Sequence, residues 1–285
     1  MKFLKFARLF LHLSPDQRFR LPSWMVFASC LMDGWYYEEQ NPFVRQKTLT
    51  KRFREFYIEG GRGSAKSSFQ AARLLFHPSV ELAGGRAYLI STSLEQTEPT
   101  FEFVKRFIDN DPYLKLRFPF HYGGKKPKEY YDHKYDGGLI CRKPAPKSGK
   151  GAFGMNISFL CVDEPHTIDD REFVEAYETS FKQCENPQSL YTTNSGSSYD
   201  SLCGEKHNQG RQVLAGKETA DRNGYLVFSI DEDDKRALYE PGTRCGQPSP
   251  CLPRPVAPGC ASLHTENRTT NRSSWCTATE DSHTA

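Results

Sequence analysis

The fold is decided by one stretch of the sequence, Phe56-Tyr57-Ile58-Glu59-Gly60-Gly61-Arg62-Gly63-Ser64-Ala65-Lys66-Ser67-Ser68-Phe69. An apolar run leads into a group of glycines, and a Lys-Ser pair then opens a segment whose apolar residues recur at helical spacing. A strand, a glycine-rich loop and a helix start are the context of a phosphate-binding loop. Glycines let backbone N–H groups converge on a phosphate, and the helix dipole adds positive potential there. An ordinary glycine turn is the alternative.

The residue types of this loop suit the phosphates of a nucleotide and their metal ion. Lys66 supplies a positive charge for the β- and γ-phosphates, and the hydroxyl of Ser67 can bind Mg²⁺. One position departs from the pattern G-x-x-x-x-G-K-S, because Ala65 stands where the second glycine is expected. A methyl group there is expected to disturb packing without removing a ligand. The predicted nucleotide-binding residues are Gly60, Gly61, Arg62, Gly63, Ser64, Ala65, Lys66 and Ser67.

A second motif closes the run Ile157-Ser158-Phe159-Leu160-Cys161-Val162-Asp163-Glu164. Its near-continuous apolar part predicts a strand buried on both faces, as in a parallel sheet. In P-loop ATPases the Asp at such a strand end orders the water shell of Mg²⁺, and the Glu after it can polarise the attacking water. An acidic turn is the alternative, but a phosphate loop upstream favours the catalytic interpretation. We therefore predict Asp163 at the metal and Glu164 as the catalytic base.

Further runs repeat the alternation of strand and helix. Helices are also expected around Phe101 to Ile108, closed by Pro112, and after the cap Asp169-Asp170. This alternation predicts an α/β fold, the three-layer fold of P-loop NTPases with a mainly parallel central sheet. The other predicted strands are 86–92, 138–142, 189–196 and 225–230, and the other predicted helices are 1–13, 22–35 and 198–217.

Polar residues end the predicted strand that begins at Ser189: Thr192, Thr193 and Asn194. Polar groups at the carboxyl edge of a parallel sheet lie near the nucleotide and can sense its γ-phosphate. A plain transition from strand to turn is the alternative.

Length and charge limit the classes of protein. A chain of 285 residues has room for one or two domains and a sizeable core. The net charge of +3 permits a nucleic-acid partner without arguing for one, because nucleic-acid-binding domains are usually far more basic. Two basic stretches could face DNA: 47–54, where we favour a solvated connector, and 117–150, where exposed loops are an equal alternative. No apolar run reaches membrane-spanning length, so we expect no membrane partner and a cytoplasmic location.

The order of these motifs resembles the large terminase subunit of tailed phages, the motor that packages DNA into a prohead. The phosphate loop looks like that family's variant loop, and Val162-Asp163-Glu164-Pro165-His166 resembles its second ATPase motif. Tyr191-Thr192-Thr193-Asn194-Ser195-Gly196 looks like its coupling motif. Pro22-Ser23-Trp24-Met25-Val26-Phe27 resembles its adenine-side motif, which normally has glutamine where Met25 stands, so the usual contact with the base is in question.

The resemblance implies a role for each matching residue. Lys66 would hold the phosphates, Ser67 and Asp163 the Mg²⁺ ion, and Glu164 would activate water, as the residues themselves indicate. Arg62 would act in cis as a charge-stabilising arginine at the γ-phosphate. The residues that would couple hydrolysis to movement are Thr192, Thr193 and Asn194.

The resemblance also implies cofactors and partners. ATP and Mg²⁺ would be the cofactors, and the partners would be double-stranded DNA, the portal protein and the small terminase subunit. The chain would form a homo-oligomeric ring when packaging, in the host cytoplasm and transiently at the prohead portal.

The resemblance stops near the carboxyl end of the chain. From Pro241 onward there is no Phe, Tyr, Lys, Ile or Met, although the whole chain has 20 Phe and 14 Tyr. Such a segment cannot bury a core, so a disordered tail is expected. We hypothesise a frameshift near Thr243, because codons for Arg-Cys-Gly-Gln-Pro read one base along can spell the Gly-Ala-Ala-Asn-Pro that would restore the family's Ala-Asn-Pro. A natural low-complexity tail is the alternative.

The expected domain organisation follows from these boundaries. A helical segment with the adenine-side motif covers 1–50, the ATPase domain 51–235 and the tail 236–285. The family's C-terminal nuclease domain would be missing, so no nuclease activity is expected. The favoured function is the ATPase part of a terminase large subunit, and the alternatives are a non-catalytic truncated remnant or another P-loop ATPase that remodels nucleic acids.

Overall fold

The computed structural model describes residues 2–40, 47–145, 156–168, 176–177, 179–184, 186–194 and 201–228. The strands are β1 (His12–Ser14), β2 (Gln17–Arg18), β3 (Tyr36–Gln40), β4 (Lys47–Lys51), β5 (Glu55–Glu59), β6 (Arg86–Ser91), β7 (Phe120–Tyr122), β8 (Glu129–Tyr131), β9 (Leu139–Pro144), β10 (Phe159–Asp163), β11 (Gln188–Thr193) and β12 (Asn223–Val227). The helices are α1 (Lys2–Phe10), α2 (Ser23–Gly34), α3 (Lys66–Phe76), α4 (Glu98–Asn110), α5 (Pro112–Arg117) and α6 (Leu202–Leu214).

Eight strands form the central sheet, in the order β12-β5-β11-β10-β6-β9-β8-β7. The six strands from β12 to β9 are mutually parallel. The hairpin of β7 and β8 joins this block antiparallel at one edge. β11 lies between β5 and β10, so the strand that ends in polar residues separates the phosphate-loop strand from the strand that ends in carboxylates.

Alternate residues of each central strand enter different hydrophobic layers. In β10, Phe159 and Cys161 belong to the layer beneath α1 to α5, whereas Leu160 and Val162 belong to the layer that includes Cys203 of α6. Because successive side chains in a strand point to opposite faces, strands buried on both sides need apolar residues at almost every position. The predicted three-layer α/β fold with a mainly parallel sheet is confirmed.

The N-terminal helices share the core of the sheet. Phe3 of α1 makes edge-on ring contacts with Phe69 and Phe76 of α3, with centroids 6.0 and 5.3 Å apart. Met25 of α2 is fully buried in the same layer. Residues 2–34 therefore pack as part of the same hydrophobic unit as the phosphate-loop helix.

The solvated connector favoured for 47–54 is wrong at its centre. Lys47–Lys51 forms β4, which pairs antiparallel with β3, and the Lys51 side chain is only 3% exposed. Its ammonium lies 3.2 Å from a carboxylate oxygen of Asp33 and is also paired with Glu81. A buried lysine is tolerated here because opposite charges surround it.

Several predicted boundaries shift by a few residues. α1 ends at Phe10, and the residues after it form the small hairpin of β1 and β2. Pro112 closes α4 as expected, since α4 ends at Asn110 and Asp111 before the proline is extended. Pro112 also begins α5, where the Asp111 side chain caps the helix by accepting a hydrogen bond from the Leu114 amide (2.9 Å). A π-helical turn, His77–Glu81, follows α3.

The helix expected after Asp169-Asp170 and the C-terminal tail lie outside the described residues. In the part of the chain that the structure describes, no helix has the length and apolarity that crossing a membrane requires.

Candidate active site

Three strand ends meet at the carboxyl edge of the parallel block. β5 ends at Glu59, directly before the glycine loop, and β10 ends at Asp163. The register places Asp163 beside Thr192 and Glu59 beside Thr193, so the polar end of β11 stands between loop and carboxylates. The topology thus brings the predicted loop, carboxylate and coupling residues to one place.

At two positions the loop has the positive φ angle that tight glycine-rich turns use. Gly63 and Ala65 both have positive φ, 81° and 64°. Ala65 adopts the left-handed conformation directly before the first residue of α3, with an exposed side chain. The expectation that its methyl group disturbs packing is therefore wrong: its cost lies in the backbone, because L-residues with a Cβ disfavour this region.

Lys66 begins α3 and turns its ammonium back over the loop. Nζ donates to the backbone oxygens of Gly60 (2.7 Å) and Gly61 (3.1 Å) and to the side-chain oxygen of Asn194 (2.8 Å). Burial lowers the pKa of Lys66, while the charges of Glu164 and of Asp163 oppose that shift. A partly buried ammonium held among neutral oxygens is a strong point of attraction for a phosphate anion.

Glu164 is held in a fixed orientation at the end of β10. Its backbone is left-handed, with φ of 50°. One carboxylate oxygen accepts from the Asn194 side-chain amide (2.6 Å), and the other accepts from the Asn194 backbone N–H (3.0 Å) and the Thr193 hydroxyl (3.2 Å). His166 Nδ1 lies 3.1 Å from the same oxygen. These contacts aim the carboxylate across the end of β11 toward the loop.

Asp163 is fixed by Thr192, a predicted site residue, and by Gln70, which was not predicted from the sequence. Gln70, fully buried on α3, donates to a carboxylate oxygen of Asp163 (3.0 Å) and is in turn oriented by the Thr100 hydroxyl (2.8 Å). Thr192 donates to the same Asp163 oxygen (3.3 Å). Burial raises the pKa of Asp163 to about 6, although these two hydrogen bonds favour the ionised form.

Ser67 and Asp163 fit a divalent cation. Ser67 is half-buried in the first turn of α3 and precedes Gln70 by three residues, so the two share a helix face. Since Gln70 contacts Asp163, this face points to the end of β10. Both hydrogen bonds to the Asp163 carboxylate in the described residues go to one oxygen, and its buried charge would gain from a cation. Hydroxyl and carboxylate oxygens are the ligands that Mg²⁺ prefers.

Two predicted residues stand apart from this cluster. Arg62 is exposed on the loop and makes no hydrogen bond or ion pair within the described ranges. Met25 faces the core and is fully buried, so it does not offer an adenine contact of the kind that glutamine would make. Its neighbour Trp24 packs edge-on against Phe69 and Phe228, which closes the side of α3 behind the loop.

Sequence signals for the missed residues were present but weak. Gln70 follows Lys66 by four residues and therefore lies on the same face of α3. His166 was noted only as part of a motif, and it contacts both Glu164 and the Thr193 hydroxyl (2.8 Å). Neither contact can be deduced without the order of the strands.

The fold and the site define a P-loop nucleoside triphosphatase, with a glycine loop before a helix, a buried Asp and a partly exposed Glu at the end of a separate strand, and a polar strand end between them. A family comparison makes this specific: residues 24–211 match the family described as "Terminase large subunit, ATPase domain". The chain belongs to this family. No curated protein matches it.

Solved structures with a similar fold include three phage large terminases. The large terminase of bacteriophage HK97 is 16% identical with a TM-score of 0.61, and the match covers 81% of this chain and 44% of that one. The ATPase domain of the Thermus phage P74-26 large terminase is 16% identical (TM-score 0.41, 64% and 73% covered). A large terminase from a thermophilic bacteriophage, in complex with ADP, is 10% identical (TM-score 0.46, 67% and 46% covered). The chain thus spans less than half of the HK97 protein.

Proposed function

We propose that this chain hydrolyses ATP with Mg²⁺ and that hydrolysis drives the movement of double-stranded DNA into a prohead. The observation that carries the proposal is the single hydrogen-bonded path from Lys66 through Asn194 to Glu164. A charge that holds phosphate and a carboxylate that activates water are joined there by one residue. Membership of the terminase ATPase family supports the same activity.

Each residue has a defined part in the proposed reaction. Lys66 exchanges its neutral oxygen partners for the oxygens of the β- and γ-phosphates, and Arg62 approaches the γ-phosphate from the exposed loop. Glu164 accepts a hydrogen bond from the attacking water and orients it. Ser67 and Asp163 would hold Mg²⁺, and the ion would supply positive charge for the phosphate oxygens.

Asn194 supplies the link to movement in this scheme. When Lys66 turns to the γ-phosphate, Asn194 loses that hydrogen bond while keeping its contacts with Glu164. Thr192 and Thr193 contact Asp163 and Glu164 and share the strand end with Asn194. The state of the nucleotide is thereby transmitted to the end of β11.

The proposed partners are those of a packaging motor: double-stranded DNA, the portal protein, the small terminase subunit and further copies of the chain in a ring. The proposed location is the host cytoplasm, with transient assembly at the prohead portal. We also propose that this chain has no nuclease activity.

Phosphate release from ATP by the wild-type chain and by Glu164→Gln tests the proposal. The amide keeps the size of the side chain but removes the anionic acceptor, so the rate is expected to fall by about 10²–10⁴-fold while nucleotide binding persists. Omitting Mg²⁺ should abolish release in the wild type. Asp109→Asn, which removes only an exposed ion pair with Lys105, is the matched control.

Equal, background-level release by both proteins would contradict the proposal and favour a remnant that binds without turnover. Hydrolysis that responds to a nucleic acid other than duplex DNA would favour another remodelling ATPase. Nucleotide binding measured alongside separates loss of catalysis from loss of the site.

A further inference from the structure

We propose that the turn between β7 and β8 is a contact surface for the phosphate backbone of duplex DNA, an inference that takes its partner from the proposed function. The turn carries Lys125, Lys126 and Lys128, whose side chains are exposed. None of the three ammonium groups has an ion-pair partner within the described residues, whereas the exposed Lys47 and Lys105 are paired with carboxylates at 2.7 and 2.6 Å. Unpaired lysines close together are the electrostatic feature that recognises phosphate backbones.

The turn is held in place from beneath. Arg142 of β9 is buried, and its guanidinium donates to the backbone oxygens of Pro127 (2.8 Å) and Lys126 (3.4 Å) and to Glu98 (2.6 Å). It also lies over the ring of Phe101, 5.1 Å from the centroid. Because the backbone is already fixed, only the lysine side chains, and not the turn itself, lose conformational entropy when a partner binds.

Glycine at position 123 makes this close turn possible. Gly123 has φ of +109°, and a Cβ there would lie 2.8 Å from the Lys126 backbone oxygen. The Lys128 amide then donates to the Tyr122 backbone oxygen (2.7 Å). The turn is a defined feature of the hairpin, because this backbone bond and the bonds from Arg142 hold its chain in place.

The turn lies on the same edge of the sheet as the nucleotide site but well away from it. β8 runs antiparallel to β9, and Glu129 pairs with Cys141, so the turn before β8 is at the carboxyl edge of the parallel strands. Five strand intervals separate β5 from β8, which corresponds to about 24 Å at the usual spacing. DNA bound at the turn would therefore not occupy the phosphate loop.

The acidic groups nearby offset only part of the positive charge. Asp132 is neutralised by its buried ion pair with Arg117 (2.7 Å), and Glu98 by its pair with Arg142 (2.6 Å). Glu129, which accepts a hydrogen bond from the Tyr131 hydroxyl, and the exposed Glu95, whose charge interacts with that of Lys126, remain, so the three lysines of the turn outnumber the two carboxylates. The same hairpin also exposes Phe120 and Tyr122, which alternate along β7 and so share one face. Exposed aromatic rings would suit a protein partner, so substitution of Phe120 and Tyr122 serves as a second comparison in the test.

The test compares binding of the full chain and its Lys125→Ala/Lys126→Ala/Lys128→Ala variant to a random-sequence DNA duplex over a series of salt concentrations, by fluorescence anisotropy. Binding weakens as salt rises, and each lost phosphate contact should make the slope of log K against log salt less negative by about one. For the triple variant we therefore expect a slope less negative by about two to three, and an affinity at least about tenfold lower at low salt. Lys5→Ala/Lys47→Ala/Lys217→Ala, with the same charge change at exposed sites elsewhere, is the matched control. Thermal unfolding of all variants checks the fold.

Unchanged slope and affinity in the turn variant, an equal loss in the control variant, or no duplex binding by the wild type would each overturn the inference. So would a Phe120→Ser/Tyr122→Ser variant that weakens duplex binding while the lysine variant does not. ATP hydrolysis without DNA is measured separately. A wild type that binds duplex through the turn but does not hydrolyse ATP would refute the proposed function and leave this surface standing.

Discussion

Asn194 is the residue through which the two charged groups of the site meet. Replacing it with alanine removes the acceptor for Lys66 (2.8 Å) and the amide donor to Glu164 (2.6 Å). Because a hydrogen bond to a charged group contributes about 1.5–3 kcal/mol, we expect kcat for ATP hydrolysis to fall by about 10–100-fold. Nucleotide affinity should change less, since Lys66 keeps its loop oxygens and its charge.

Steady-state hydrolysis and nucleotide titration of Asn194→Ala measure these two effects. Asn223→Ala is the matched control, because its side chain contacts only the Tyr225 hydroxyl (3.2 Å), away from the loop. A normal kcat in Asn194→Ala would show that the bridge to Glu164 has no catalytic effect.

The cost of the left-handed backbone at Ala65 to the stability of the protein can be measured directly. Ala65→Gly should remove the strain of the φ angle of 64°, because the left-handed region costs a residue with a Cβ atom about 1–2 kcal/mol. Glycine also loses about 0.4–1 kcal/mol through unfolded-state entropy, so the net expectation is a gain between zero and about 1.6 kcal/mol.

Urea denaturation of Ala65→Gly measures this gain. Ala71→Gly, in the interior of α3, is the control and should lose stability by about 1 kcal/mol or more. If both substitutions destabilise equally, the backbone of Ala65 is not strained.

At the scale of elements, α3 begins directly after the phosphate loop and supports Asp163, the proposed ligand of Mg²⁺. Gln70 connects α3 to β10 and β11 through Asp163 and Thr192. Gln70→Leu keeps the volume of the side chain but removes the amide that donates a hydrogen bond to Asp163. Groups that orient metal ligands typically contribute about 10–100-fold to metal affinity. We expect the Mg²⁺ concentration for half-maximal hydrolysis to rise by that factor.

The Mg²⁺ dependence distinguishes positioning from a general loss of structure. Saturating Mg²⁺ should largely restore the rate of Gln70→Leu, whereas Gln70→Glu, which places a second carboxylate beside Asp163, should remain impaired. An unchanged Mg²⁺ requirement in both variants would contradict the role of Gln70.

The π-helical turn after α3 makes the fold sensitive to acid. Burial lowers the pKa of His77, and the cationic neighbours Lys51 and Arg73 add to that against the opposing effect of Glu81. Burial alone would raise the pKa of Glu81, but its hydrogen bond with His77 and the charge of Lys51 bring that pKa well below its usual range. The folded state therefore binds fewer protons than the unfolded chain at both sites.

The stabilising contribution of these two groups should be fully present above about pH 6.5, the ordinary pKa of His77. It should be lost as the pH drops below that value, with Glu81 adding to the loss below about 4.5. One proton corresponds to at most about 1.4 kcal/mol per pH unit. In His77→Gln, the free energy of unfolding should fall less steeply between pH 7 and 5 than in the wild type. The difference in slope should be at most about 1.4 kcal/mol per pH unit, which is what one proton contributes. Identical slopes in variant and wild type would show that His77 titrates normally.

Strands, helices and motifs that are local in the sequence could be predicted from it, but contacts between elements far apart in the sequence could not. Lys66 and Glu164 belong to local motifs whose backbone context repeats in sequence, so their strands and loop could be predicted. The partner of Asp163 could not, because Gln70 is 93 residues away and meets it only through the strand order. Lys51 was misjudged for the same reason: its charge indicated solvent, but its counter-charges come from two other elements.

At the scale of the whole molecule, a buried charge cluster joins the N-terminal helices to the sheet at the edge opposite the nucleotide site. Asp33 of α2 receives two hydrogen bonds from the fully buried guanidinium of Arg73 (2.5 and 3.0 Å) and pairs with Lys51. Gln188, at the start of β11, accepts from both cations (3.2 Å from Lys51, 3.0 Å from Arg73). One carboxylate thus helps to neutralise charges from α3 and β4.

Asp33→Ala should therefore destabilise the whole fold rather than one helix. Removing one partner of a buried pair leaves an uncompensated charge and costs about 3–5 kcal/mol, here with two cations affected. Glu38→Ala, which breaks the exposed pair with Lys47 on the neighbouring hairpin, should cost no more than about 1 kcal/mol. Urea denaturation followed at several wavelengths measures both variants. A loss confined to α1 and α2, or equal costs in the two variants, would show that the cluster does not hold the helices and the sheet together as one cooperative unit.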